Sequence, residues 1–147
     1  MRRARPTLLS ALFAVLTLLG MAQPAQADTR MDYMLHCSGC HRADGSGAPH
    51  AGVPTLVGRM GYFARSAEGR DYLIRVPGTA NSPLDHAATA RVLNWMMDTF
   101  SSAERPADFQ PYTEAEVAKV RGNWLSNAAD VRVKLVAEMK QRGYPVD

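Results

Sequence analysis

The chain has 147 residues, with 17 Lys and Arg against 14 Asp and Glu, and only two cysteines. That length makes one domain. The formal charge of +3 comes from Arg2, Arg3 and Arg5; beyond Ala27 the balance is zero, so no basic surplus argues for nucleic-acid binding.

The three arginines are followed by Leu8 to Ala22, which is nearly unbroken apolar sequence. Ala25-Gln26-Ala27 then places small residues where a signal peptidase reads. This predicts an export signal over residues 1–27, cleaved after Ala27, and a mature chain with no membrane span. An uncleaved N-terminal anchor is the alternative. Next comes Cys37-Ser38-Gly39-Cys40-His41. Gly45 to Gly58 carries four glycines and two prolines and predicts a loop, without either of the Gly-rich phosphate-binding strings. From Glu68 to Arg75 the pattern predicts a short helix closed by Pro77-Gly78, with Tyr72, Leu73 and Val76 on one face.

The clearest helix runs to Phe100, N-capped by Asp85 or Ser82, with Ala88, Val92, Trp95 and Met96 recurring at helical spacing. A polar, proline-bearing linker follows. Thr113 and Glu116 form a capping-box pattern that opens a short helix towards Trp124. Ser126 or Asn127 caps a last helix with Val131, Leu135 and Met139 on one face, ended by Gly143 and Pro145.

The chemistry is concentrated in the two thiols. A disulfide between them would close a tiny loop and contribute little as a staple. A thioredoxin-like dithiol belongs in a βαβ pattern, and no Val/Ile-rich strand precedes Cys37. A zinc site built here lacks the distant second ligand pair. The fourth assignment uses every residue. Two thiols one helical turn apart each add to a vinyl group of one haem, and His41, directly after the second anchor, offers its imidazole to the iron. C-x-x-C-H is the signature of c-type haem attachment, and histidine is a standard haem ligand. The disulfide and the dithiol stay as rival assignments.

From about Asp28 to Phe100 the sequence resembles a small bacterial monohaem cytochrome c of the mitochondrial-like class. The resemblance rests on Tyr33-Met34-Leu35-His36 leading into the C-x-x-C-H string, on Asp44-Gly45-Ser46-Gly47, and on Pro54-Thr55-Leu56-Val57-Gly58. It implies an all-α, cytochrome c-like helical domain over residues 28–100 around one covalent haem c. Residues 101–147 then form a linker and helical C-terminal extension, which packs on the core or docks a partner. The resemblance gives Cys37 and Cys40 the thioether bonds and His41 the proximal iron position. It implies that Pro54 turns its backbone carbonyl to the His41 ring, the alternative being a proline that only rigidifies a turn. It also sets Trp95 against the first helix near Tyr33.

In the resembled family the second axial ligand is usually a methionine shortly before the last helix, and Gly78 to Leu84 contains none. Met60 is nominated in its place, against the alternative that it fills core space. His50, His86 and a five-coordinate iron complete the candidates. No catalytic residue set is recognisable. The expected function is that of a periplasmic electron carrier, with a periplasmic dehydrogenase as donor and another redox protein or an oxidase as acceptor. Two other classes compete with it: a haem enzyme or sensor with an open distal site, and a cytochrome subunit fixed in a dehydrogenase complex.

Overall fold

The computed structural model describes residues 24–146. The predicted export signal falls almost wholly outside the described residues. Within them the chain is all-α, and the only β-type pairing is an isolated bridge between Ala48 and Val53. None of the described helices is long and apolar enough to cross a membrane.

Two crossing helices build the frame. Helix α1 spans Pro24–His36 and leads into the one-turn α2, Ser38–His41. After the loop come α3 (Met60–Phe63), α4 (Ala67–Arg75), α5 (Pro77–Ala80) and the longest helix, α6 (His86–Phe100). Asp85 starts α6: its carboxylate accepts the Ala88 amide at 2.6 Å, satisfying an N–H that has no partner inside the helix. The apolar stripe then buries Val92, Leu93, Met96 and Met97. Where α1 meets α6, the fully buried Tyr33 lies between Trp95, at 5.0 Å between ring centroids, and Phe100, at 5.3 Å. Tilted aromatic pairs of this kind add about 0.5–1.5 kcal/mol beyond the area they bury. The crossing implied for Trp95 is therefore present.

Helix α4 begins earlier than Glu68, because Ser66 caps it by accepting the Gly69 amide at 3.0 Å. Pro77 does more than close it. Val76 turns extended, as a residue before proline prefers, and Pro77 then opens α5 at the position where its missing N–H costs nothing.

The residues after Phe100 pack on this frame. Helix α7 (Glu114–Val120) lies on α6, and α8 (Ala128–Gln141) lies on α4. Thr113 caps α7 by accepting the Glu116 amide at 3.1 Å. The Asn94 side chain exchanges two hydrogen bonds with the backbone of Tyr112, and Arg70 makes a two-pronged ion pair with Glu116. Tyr112, Val117, Leu125, Leu135, Val136 and Met139 are buried in the same core as Tyr33 and Leu93.

Candidate functional site

Cys37 interrupts the helix, and α2 resumes at once, so that His41 donates its amide to the Cys37 carbonyl at 3.0 Å. The single turn therefore presents two thiols and one imidazole within five residues. Neither cysteine is bridged; Cys37 is half-buried and Cys40 is exposed. Burial, followed by the charge of Asp32, pushes the Cys37 thiol up to about 11. That is the opposite of the depressed pKa that makes a redox dithiol reactive.

The turn is locked where it ends. Arg42 leaves α2 at φ 62°, ψ 166°, a region where side chains are strained. The Tyr33 hydroxyl donates to its carbonyl at 2.6 Å, which ties the exit of the turn to α1. Gly47 donates its amide to the His41 carbonyl at 3.0 Å. It sits at φ 66°, and a Cβ there would come within 2.5 Å of the Pro54 carbonyl oxygen. Only glycine lets the Pro54 peptide approach so closely.

Nδ1 of His41 is buried and makes no hydrogen bond of ordinary geometry. Burial holds its pKa below the usual histidine value, and the Pro54 backbone acts more weakly in the other direction. The ring is thus a neutral imidazole at neutral pH, the form that binds metal ions. Two thiols one turn apart, able to form thioether bonds, and a neutral imidazole beside them, able to bind iron, fit what a covalently held haem requires. Among the described residues, no three His, Cys, Asp or Glu side chains converge as a protein-only metal site.

Cys37 also lines a cleft. The cleft is also lined by Thr79 on α5, by Ser82 and Leu84 between α5 and α6, and by Thr89, Val92 and Met96 on α6. Met60 is elsewhere: it is 3% exposed, on α3 in the hydrophobic core. His36, His50 and His86 are exposed. Sequence reasoning placed Met96 in ordinary packing, and the structure puts it on the cleft wall as well. It missed Arg121, which holds the 80–84 segment from behind, because an arginine at the end of a short helix carries no signal of burial.

No family model matches the chain. Two known proteins are similar to it, both named cytochrome c-552 and both from Thermus thermophilus. One is 32% identical over 150 aligned positions, which cover 90% of this chain and 96% of the relative. The other is 30% identical over 136 positions, covering 80% and 98% respectively.

Proposed function

The chain belongs to the c-type cytochromes, and from that premise we propose that it is a periplasmic one-electron carrier with a single haem held by Cys37, Cys40 and His41. When bound, the haem supplies a ferrous–ferric couple at a potential tuned by its ligands and burial. The polypeptide does the rest. The Cys37 and Cys40 sulfurs tether the group, and the neutral His41 imidazole binds the iron. The Pro54 carbonyl orients that ring, and Tyr33 keeps the turn from shifting. Val92, Leu93 and Met96 exclude water from the cleft beside Cys37. Met60 is the distal ligand nominated from the sequence, although it lies in the core on α3 and does not line this cleft.

The reading is carried above all by the buried, neutral His41 imidazole set against Pro54 in the same turn as both thiols. Periplasmic location is supported by the export pattern of residues 1–27. A periplasmic dehydrogenase as donor, and a redox protein or oxidase as acceptor, are the partners that suit such a carrier.

The test is acid extraction of the denatured protein after expression with haem-attachment machinery. The pigment stays with the polypeptide, and Cys37→Ala together with Cys40→Ala releases it. A wild-type chain that gives up its pigment freely refutes the attachment.

A second reading, a small-molecule ligand site on the iron, is favoured by one observation. The segment 77–84 that borders the cleft contains no methionine or histidine. Rapid carbon monoxide binding to the reduced protein at neutral pH supports this reading over the carrier.

A further inference from the structure

Arg121 follows α7 directly and is only 8% exposed. Its guanidinium makes five hydrogen bonds, four of them to residues that line the cleft. Nε donates to the Ala80 carbonyl at 2.9 Å. Nη1 donates to the Leu84 carbonyl at 2.6 Å and to Thr89 Oγ1 at 3.0 Å. Nη2 donates to the Ser82 carbonyl at 2.5 Å and to Ser82 Oγ at 3.1 Å. Five bonds match the five donors a guanidinium possesses, which is the condition for burying such a cation.

The segment it grips starts at the end of α5, where Ala80, Asn81 and Ser82 donate their amides back to Val76, Pro77 and Thr79. Between α5 and α6 the chain forms only turns and bends, interrupted by Pro83. The carbonyls of residues 80, 82 and 84 all accept from Arg121, and Ser82, Leu84 and Thr89 also line the cleft. A methionine–iron bond is not available to tether this segment, because it holds no methionine.

We propose that Arg121 is the positioning residue of the cleft: it clamps residues 80–84 against α6 and so restricts the entry of small ligands to the haem iron. The proposal rests on the reading of Cys37, Cys40 and His41 as the attachment site. It also gives the C-terminal extension a role at that site, although the extension contributes no atom to the cleft lining.

The test uses full-length holoprotein carrying Arg121→Met, which keeps an apolar stem and removes every donor, with Arg121→Lys as the milder variant. Acid extraction first establishes that wild type and variants hold their haem; free pigment from the wild type overturns the attachment reading itself, not the clamp. Reduced protein is then mixed with carbon monoxide. Arg121→Met binds it faster by about tenfold or more, the factor expected from losing one charge-assisted hydrogen bond. Arg121→Lys falls between. An unchanged rate alongside a lowered melting temperature overturns the proposal, since Arg121 would then only fasten the extension. If neither variant accumulates with haem, amide exchange in the wild-type holoprotein decides. Exchange across residues 79–84 as slow as in the middle of α6 supports the clamp. Exchange as fast as in residues 49–52 overturns it.

Discussion

Tyr112 separates two contributions that a buried tyrosine usually combines. Its ring is 3% exposed and carries the Arg70 guanidinium 4.2 Å above its centroid, yet its hydroxyl is buried with no hydrogen-bond partner. Removing a buried, unpaired polar atom while keeping the ring costs nothing and relieves desolvation, so Tyr112→Phe is neutral or stabilising by about 1 kcal/mol at neutral pH. Burial raises this phenol above its ordinary value of 10. The folded state therefore resists ionisation while the unfolded state ionises near pH 10. The stability contribution is complete below pH 10 and is lost as the pH rises beyond it. Urea denaturation at pH 8 and pH 11 shows a smaller loss for Tyr112→Phe than for wild type. Some loss remains, because burial also raises Tyr33 and Tyr72.

The elements were legible where one local rule governed them. Asp85 before an apolar stripe reads as a cap, and it is one; Asp85→Ala removes the acceptor for the Ala88 amide and destabilises the protein by about 1 kcal/mol in urea denaturation, with the haem content unchanged. The spacing of Cys37 and Cys40 one helical turn apart was equally readable, and α2 forms that turn. Pro77 was half readable: proline marks a helix boundary from either side, and only the extended Val76 reveals that a second helical turn follows. Arg121 was not readable at all. Its partners lie 32 to 41 positions away, and no local pattern distinguishes an arginine that faces solvent from one that fills a cage of carbonyls.

At the scale of the molecule, the extension and the cytochrome core are one hydrophobic unit. The residues beyond Ser101 bring Tyr112, Val117, Leu135, Val136 and Met139 into the core, along with the whole guanidinium clamp. A chain ended at Ser101 would expose the faces of α4 and α6 that these side chains cover. Expressed in this form, it neither melts cooperatively by circular dichroism nor accumulates a haem spectrum. A cooperative melt with an intact spectrum would show that residues 28–100 are self-sufficient.

The chain order of the clamp has a consequence for biosynthesis. Synthesis delivers the N-terminal part first, so Cys37 emerges some eighty residues before the arginine that holds the 80–84 side of its cleft. Until that last stretch arrives, the wall is unlatched, and a bulky planar guest can be seated between surfaces that have not yet closed on it.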